Sequence, residues 1–422
     1  MAVSRFEFRH YRDERRPIMA TTSYLYHTMG LKDYRHIRTE YSQGSLLHHV
    51  RLKNTKRICR GCGARWHHLR KAGKFTRVFH ALPVGRRAQR IVLHGHEQYC
   101  RRCMGVLREP IYFAKPKGRC LKAFEVFAVE LCAMATIKSV AAFLGVGWDM
   151  VKGIFKEDLR RRLKKRKLGK VRYLAVDEFA VRKGHRYMTV VMDLETGQIL
   201  HVAHGKGAEA LTPFLKQLRR QKVKLRAVAM DMSPAYMQAV RDVFPQLDIV
   251  HDPYHIIVTV NKAIDETRKD MYRHLTGDQR SLIKGARFLL LRSLESLKED
   301  ALEKLARIME LNEPLYQAYL LKEEMRWFWN LPTAQAAEQF LQTWTEEAYN
   351  TALNRFHKLA DSLLRHKPGL LSYFSHRIST GPLEGLNNKI KVLKRQAYGF
   401  RDHGYFKLRL YFLHNHTPAF AG

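Results

Sequence analysis

The pattern of apolar and polar positions is most regular in the middle of the chain, where it predicts three strands in succession. Residues 173–176 are apolar on both faces, which is typical of a buried central strand, and the run ends at Asp177. Residues 185–191 and 199–202 are rich in β-branched and aromatic residues, and a glycine turn precedes each of them. These three runs predict antiparallel strands.

The next segment alternates between helical and strand patterns. Apolar residues spaced by three or four positions predict a helix over 208–221, and an apolar run predicts a strand over 225–230 that ends at Asp231. A second helix is predicted to start at Ser233-Pro234 and to carry residues 236–244, and a last strand is predicted over 247–250. Three strands followed by helix, strand, helix and strand, with acids at strand ends, match a ribonuclease-H-like α/β fold.

Asp177 and Asp231 would lie on neighbouring central strands of that fold. Carboxylate oxygens are hard ligands, so two of them at one edge of a sheet suit a divalent metal ion. An Asp at a strand end also caps turns and helices. That alternative applies above all to Asp231, because Ser233-Pro234 begins the next helix just after it.

The C-terminal part of the chain is helical by its pattern. Residues 261–369 repeat apolar positions every three or four residues, which predicts an α-helical insertion in the α/β core. A further helix starts at Pro382, and Glu384 shares its polar face with Asn388 and Lys391. The opposite face is apolar and is predicted to contact the core through Leu386, Ile390 and Leu393.

The charge balance indicates a polyanionic partner. The 422 residues include 76 Lys and Arg but only 39 Asp and Glu, so the formal net charge is +37. Such an excess of positive charge destabilises the compact state by self-repulsion. It is therefore usually present because the protein binds a polyanion. Because the charge is spread over the whole length, nucleic acid is the favoured partner. A basic ribosome-associated protein without chemistry is the alternative from charge alone.

We find no targeting signal in the pattern of apolar residues. No apolar run approaches the 18 residues of a transmembrane helix, and the start of the chain lacks the apolar core of a signal peptide. Six cysteines are too few for a disulfide scaffold in a chain of this size. We therefore expect a reducing cytoplasm and no membrane partner.

Two CxxC pairs predict a zinc site. Cys59 and Cys62 form one pair, and Cys100 and Cys103 form the other, with a β-like stretch around Ile91 between them. Four thiolates at this spacing can hold one structural Zn²⁺ in a zinc ribbon. Four unrelated reduced cysteines are the alternative. Nearby histidines are further candidate ligands: His67, His68, His94 and His96.

Residues 139–151 have the spacing of a helix-turn-helix. Ala141 allows two helices to approach, Gly145 makes the turn, and Val151 anchors the second helix, predicted over about 148–159. Such a helix enters the major groove of DNA. An ordinary helical hairpin is the alternative. The basic run that follows, residues 160–172, is a linker that also suits phosphate contacts.

Four longer motifs carry a resemblance to a known family. They are VDEFAVRKGHRYMTVVMDLETGQIL, AVAMDMSPAYMQAV, VHDPYHII and STGPLEGLNNKIKVLKRQAYGFRD. With the CxxC pairs and the helix-turn-helix, the chain resembles DDE-type transposases of bacterial insertion sequences, specifically the ISL-three family, over about residues 42–416. Long motifs in the right order are more specific than any single acid.

The resemblance implies a catalytic triad of Asp177, Asp231 and Glu384, which would hold two Mg²⁺ ions, or Mn²⁺. Asp252 and His255 match the family's acid-x-x-His element and would be auxiliary. Between them this chain has Pro253-Tyr254 where Arg-Phe is expected. The basic residues expected to contact DNA are Arg160, Arg161, Arg162, Lys164, Lys165, Lys389, Lys391, Lys394 and Arg395.

The predicted organisation is multidomain. The domains are an N-terminal extension of unknown role (1–41), a zinc-binding domain (42–115), a helix-turn-helix DNA-binding domain (116–165), the first part of the ribonuclease-H-like core (166–260), the helical insertion (261–369) and the last part of the core with the catalytic Glu (370–422).

The predicted function is that of a transposase. It would bind the terminal inverted repeats of an insertion sequence and catalyse Mg²⁺-dependent phosphodiester hydrolysis and strand transfer on double-stranded DNA. Because two ends must meet, a homodimer or higher oligomer on DNA is expected. The resemblance also implies a bacterial cytoplasmic protein associated with the nucleoid. The alternatives are a DNA-binding regulator with an inactive nuclease fold, and a structure-specific nuclease that cuts without joining.

Overall fold

The computed structural model describes residues 21–53, 58–59, 61–164, 166, 168–182, 186–275 and 277–413. The chain divides into two compact units, one within residues 1–161 and the other within 162–416. The division falls four residues before the boundary predicted after residue 165. Lys165 and the turn predicted at Gly184 lie outside the described ranges.

The first unit contains a five-stranded sheet and four helices. The strand order is β1-β2-β4-β3, and β5 pairs with β4. Pairing is antiparallel except between β2 and β4. The elements are α1 (Thr21–Met29), β1 (Tyr34–Ser42), β2 (Ser45–Leu52), β3 (Leu69–Val84), β4 (Arg87–Cys100), β5 (Gly105–Arg108), α2 (Lys122–Met134), α3 (Ile137–Leu144) and α4 (Trp148–Lys164).

The predicted boundary after residue 41 is wrong. β1 spans Tyr34–Ser42 and pairs with β2 along its length, so the boundary would cut a strand one residue before its end. Most side chains of β1 are exposed, so the strand has little apolar pattern of its own. Tyr34 is nonetheless buried, and its hydroxyl donates to the carbonyl of Pro110 at 3.3 Å. The end of the extension therefore belongs to the first sheet.

Helices α3 and α4 match the predicted helix pair. The Thr136 hydroxyl accepts the backbone N–H of Ser139 at 3.2 Å and caps α3. Gly145 ends α3 with φ +63°, a left-handed conformation that glycine adopts without strain. Ala141 and Val151 are both buried, as expected. The second helix continues five residues beyond the predicted end at residue 159.

The second unit is built on a mixed five-stranded sheet of order β10-β9-β6-β7-β8. β9 is parallel to both β6 and β10, and β7 is antiparallel to both β6 and β8. The elements follow the predicted order: β6 (Tyr173–Arg182), β7 (Arg186–Asp193), β8 (Ile199–His204), α5 (Ala208–Arg220), β9 (Ala227–Met230), α6 (Pro234–Val243) and β10 (Asp248–His251).

Strand β6 does not end at Asp177, as the sequence predicted, but continues to Arg182. Its register explains the difference. β9 pairs only with residues 173–175 of β6, whereas β7 pairs with β6 beyond that point and sets Asp177 opposite Val190. Asp177 therefore lies where β6 loses its parallel neighbour but keeps its antiparallel one.

In the described ranges ten α-helices follow the sheet, and the helical region starts earlier than the predicted residue 261. It begins at Pro253, because α7 follows β10 directly with proline in its first turn. The helices are α7 (Pro253–His274), α8 (Gly277–Lys284), α9 (Arg287–Leu291), α10 (Glu299–Leu311), α11 (Glu313–Trp327), α12 (Ala334–Tyr349), α13 (Asn354–Arg365), α14 (Lys367–His376), α15 (Gly381–Gln396) and α16 (His403–Tyr411).

Both faces of the second sheet are covered. Leu174 and Val176 of β6 pack with residues of α5 and α6, whereas Ala175 and Phe179 pack with residues of α15 and α16. Alternate residues of a strand point to opposite faces, so Asp177 lies on the face covered by α15. Among the described helices, none is long and apolar enough to span a membrane.

Candidate functional site

Two of the predicted acids lie on adjacent strands of the second sheet. Asp231 follows β9 directly, and Asp177 lies in β6 two residues beyond the last residue paired with β9. Asp177 Oδ1 accepts the backbone N–H of Glu178 at 2.7 Å, and Asp231 Oδ1 accepts that of Ser233 at 3.1 Å. Each carboxylate is thus held by the backbone that follows it.

Burial raises the pKa of both carboxyls above the ordinary range. For Asp177 the neighbouring charge of Asp231 raises the pKa further, while hydrogen bonds from Glu178 and Asn387 oppose the rise. The pKa of Asp231 is raised by burial and lowered by its bond from Ser233. Burial, Asp231 and Asp177 also raise the pKa of Glu178. Like charges are therefore gathered where water cannot screen them fully.

These residues fit a divalent metal ion. The donors are carboxylate oxygens, which Mg²⁺ and Mn²⁺ prefer. Within the described part of the chain, neither Asp177 nor Asp231 forms an ion pair with a Lys or Arg side chain. A bound cation would offset the cost of burying their charges. The fit comes from the chemistry of the donors and from this unbalanced charge.

The predicted auxiliary residues lie beside the acids. His255, in the first turn of α7, lowers the pKa of Asp177, Glu178 and Asp231 when it is charged. Asp252 is only 2% exposed, and its Oδ1 accepts the backbone N–H of Thr380 at 2.8 Å. Asp252 therefore ties the end of β10 to the start of α15, and His255 faces the carboxylates.

Glu384 lies in the first turn of α15 with an exposed side chain. The apolar face of that helix is buried as predicted, through Leu386, Ile390 and Leu393. The ligand oxygens of Asp177, Asp231 and Glu384 do not form a set within 4.8 Å of one another; in the described ranges only the cysteine cluster meets that distance. The structure thus brings the two Asp residues to adjacent strands but does not close the triad.

Sequence reasoning missed the contact between α15 and β6. Asn387 Nδ2 donates to Asp177 Oδ2 at 2.9 Å. Asn388 lies on the exposed face of Glu384, as the helical pattern predicted, whereas Asn387 points to the sheet. The spacing of Leu383, Leu386 and Ile390 could have indicated this, because Asn387 falls beside that apolar stripe.

The four predicted zinc ligands converge. Their sulfur atoms all lie within 4.8 Å of one another, with Cys59 Sγ 3.6 Å from Cys103 Sγ and Cys62 Sγ 3.7 Å from Cys100 Sγ. A disulfide needs about 2.0 Å, whereas four Zn–S bonds of about 2.3 Å in a tetrahedron separate the sulfurs by about 3.8 Å. The spacing therefore suits a metal ion rather than disulfides.

The electrostatics of the cluster favour one thiolate. The backbone N–H of Cys62 donates to Cys59 and lowers the pKa of that thiol to about 6. The neighbouring Cys59 sulfur raises the pKa of Cys103 to about 12. Further deprotonation requires a cation. The candidate ligands His67, His68, His94 and His96 do not belong to this group.

The predicted DNA-contacting residues are mostly exposed. Among the predicted residues of α4, Arg161 forms an ion pair with Asp158 of the same helix. In α15, the Lys391 ammonium bonds Asn388 Oδ1 at 3.2 Å and that of Lys394 donates to the Ala180 carbonyl at 2.9 Å. Those with exposed side chains are Arg160, Arg161, Arg162, Lys164, Lys389, Lys391 and Arg395.

The fold and the acid cluster define a multidomain α/β protein with a carboxylate site on a central sheet. Residues 174–410 match a family model described as Transposase. The chain is 32% identical over 369 residues to the transposase for insertion sequence element IS1001 of Bordetella parapertussis, covering 86% of this chain and 90% of that protein. The chain belongs to the ISL3 (ISL-three) family of DDE transposases, as its motifs predicted.

Two further likenesses are more distant. The transposase for IS1557 of Mycobacterium tuberculosis is 26% identical over 328 residues, covering 71% of this chain and 73% of that protein. Among solved structures, a chain of the Drosophila P element transposase strand transfer complex has a TM-score of 0.40 and 11% identity, covering 70% of this chain and 92% of that chain. A likeness at that TM-score does not define a fold.

Proposed function

We propose that this transposase cuts the ends of its insertion sequence and joins them to target DNA, using Asp177, Asp231 and Glu384 on a ribonuclease-H-like core. The observation that carries the proposal is the pair of half-buried carboxylates on adjacent strands of a sheet of order β10-β9-β6-β7-β8. Membership of a family of DDE transposases supports the same assignment.

The residues of the site have separable roles. Asp177, Asp231 and Glu384 would hold Mg²⁺ or Mn²⁺, which supplies charge stabilisation to the attacking and leaving oxygens when bound. His255 tempers the charge of the Asp pair, and Asp252 holds the start of the helix that carries Glu384. Glu384 lies in the exposed first turn of that helix, so closing the triad requires the helix or the side chain to adjust when DNA binds.

The reaction has two steps at one site. Water first attacks a phosphodiester at the element's end, and the bond to the departing oxygen breaks to free a 3′-OH. That hydroxyl then attacks a target phosphodiester, and the P–O bond to the target's own 3′ oxygen breaks as the new P–O bond forms, so the number of phosphodiester bonds is conserved. Because both ends must react with one target, the acting species is a dimer or higher oligomer on double-stranded DNA.

End recognition is assigned to α3 and α4 as a helix-turn-helix. The cap at Thr136, the left-handed Gly145 and the buried Ala141 and Val151 support this assignment. α4 exposes polar and basic side chains along its remaining faces, as a groove-binding helix requires. The basic residues of α4 and α15 would contact phosphates and contribute little sequence preference.

Strand transfer distinguishes a transposase from a nuclease that only cuts. The substrate is a labelled DNA duplex that carries a terminal repeat with its 3′-OH already exposed, mixed with plasmid and Mg²⁺. We expect the label to join the plasmid without prior cleavage. Cleavage of uncut ends without any joined product would favour the nuclease instead, and end binding without either reaction would favour the regulator.

Zinc content tests the role of the cysteine cluster. We expect the purified chain to contain about one zinc per molecule, because four thiolates form a closed structural site. Metal analysis of the Cys59→Ser plus Cys62→Ser variant should show that zinc is lost. Cys120→Ser and Cys132→Ser, which change buried cysteines outside the cluster, serve as controls. Zinc retained by the double variant would contradict the assignment.

A further inference from the structure

Asn387 is the side chain through which the helix of Glu384 contacts the strand of Asp177. It lies three residues after Glu384, and its Nδ2 donates to Asp177 Oδ2 at 2.9 Å. The other oxygen of that carboxylate, Oδ1, accepts the backbone N–H of Glu178 at 2.7 Å. Asp177 therefore has one protein donor on each oxygen, and the orientation of its carboxylate is fixed from both sides.

The other polar atom of Asn387 is not satisfied. Its Oδ1 is buried and has no hydrogen-bond donor within the described ranges. A buried acceptor without a donor bears the cost of its lost hydration, so such groups call for an explanation in function. Rotating the amide would not relieve this cost, because Oδ1 would then face the Asp177 carboxylate and two oxygens would repel.

Helix α15 is held close to the sheet independently of this amide. Its apolar face is buried, and Asp252 binds the backbone of Thr380 just before the helix begins. Asn387 is therefore not needed to dock the helix. What it adds is a specific contact to a carboxylate that is already partly buried and close to a second acid.

We propose that Asn387 is a positioning residue that orients the Asp177 carboxylate for a divalent cation. The inference rests on the proposed function, since Asp177 must hold that cation. Groups that orient a ligating carboxylate typically contribute about 10–100-fold to metal affinity. Asn388 offers a matched control, because it is the same residue type one position on, is exposed, and bonds Lys391 instead.

Mn²⁺ binding to the full-length chain without DNA tests the inference. The loss of the electron paramagnetic resonance signal of free Mn²⁺ measures binding, and four proteins are compared: wild type, Asp177→Asn, Asn387→Ala and Asn388→Ala. We expect Asn387→Ala to weaken binding by about 10–100-fold and Asn388→Ala to leave it unchanged. Asp177→Asn should lose the site.

Metal-free thermal unfolding separates orientation from a purely structural role. Asn387→Ala removes one hydrogen bond together with the unsatisfied Oδ1, so we expect its midpoint to shift by no more than about 2–4 °C. Asn387→Leu, which fills a similar volume, provides the same measurement if the Ala variant does not fold. A folded Asn387 variant with wild-type Mn²⁺ affinity overturns the inference.

The same experiment distinguishes failure of the inference from failure of the proposed function. If Asp177→Asn loses Mn²⁺ while both Asn387 variants keep it, only the positioning role is wrong. If Asp177→Asn binds Mn²⁺ as tightly as wild type, the metal assignment of Asp177 is wrong, and the role of Asn387 is overturned with it.

Discussion

Each of the variants Asp177→Asn, Asp231→Asn and Glu384→Gln is expected to lose cleavage and joining by about 10³-fold or more, while binding to end DNA persists. The amide keeps the shape of the side chain but removes the charge that holds a metal ion. Because the three acids act as a unit, the triple variant should be no less active than any single one. The measurement is Mg²⁺-dependent nicking of a labelled transposon end.

Two further substitutions serve as controls. Glu178→Gln changes the opposite face of β6, and Asp242→Asn changes an exposed side chain of α6 that bonds Gln238. We expect both to keep measurable nicking. Normal nicking by Glu384→Gln would remove the third acid from the site and leave α15 with a role in DNA binding alone.

Stability provides a check that these losses are not caused by unfolding. The folded-state pKa values of Asp177 and Asp231 are raised, so at neutral pH their charged forms destabilise the metal-free protein. This cost begins to decline as the pH falls below the raised pKa values and is gone below the ordinary Asp range. At neutral pH Asp177→Asn and Asp231→Asn should therefore unfold at the same temperature as wild type or a few degrees higher. Calorimetry without divalent metal measures this, and a large fall in the midpoint would attribute the lost activity to misfolding.

A fragment of residues 1–172 is expected to bind end DNA specifically and with strong salt dependence. It contains α3, α4 and the basic run after them. Six to ten phosphate contacts would reduce affinity by about 10³-fold or more between about 50 and 200 mM salt. Gel shifts with terminal-repeat and scrambled duplexes measure both affinity and specificity.

The complementary fragment, residues 171–422, is the control for this experiment. Its basic residues in α15 should give weak binding that does not distinguish the two duplexes. Preferential binding of end DNA by this fragment alone would contradict the assignment of recognition to α3 and α4. In that case the basic face of α15 would have to read sequence.

The sequence predicted secondary structure best where the buried residues of one face recur at a regular spacing. The apolar run at 173–176 and the stripe of Leu386, Ile390 and Leu393 predicted their elements, because each pattern reflects one buried face. It predicted secondary structure least well where the neighbouring strand decides whether a segment forms a strand and how long that strand is. The extension of β6 beyond Asp177 depends on β7, and the strand in residues 34–42 depends on β2. Neither dependence appears in local composition.

In the candidate site, too, some residues could be predicted from the sequence and others only from tertiary contacts. Family motifs named Asp177, Asp231 and Glu384, but only tertiary contacts show that Asn387 rather than Asn388 reaches Asp177. A one-residue step along a helix turns a side chain by about 100°, so the apolar stripe places Asn387 next to the sheet but does not say which strand residue it contacts. The four cysteines could be assigned from spacing alone, because two CxxC pairs leave few arrangements.

The hydrogen bond between Asp252 and Thr380 joins residues 128 positions apart, so the chain leaves the sheet and returns to nearly the same point. The outer part of this excursion runs from α8 to α13, whereas α7 carries His255 and α14 contacts β10 through His376 and Asp248. Since the entropic cost of closing a loop grows only with the logarithm of its length, such an excursion can lengthen, shorten or be exchanged at little cost to the sheet. The family could therefore diversify this helical segment, and an engineer could graft another in its place, while the strand of Asp177 and the helix of Glu384 stay where they are.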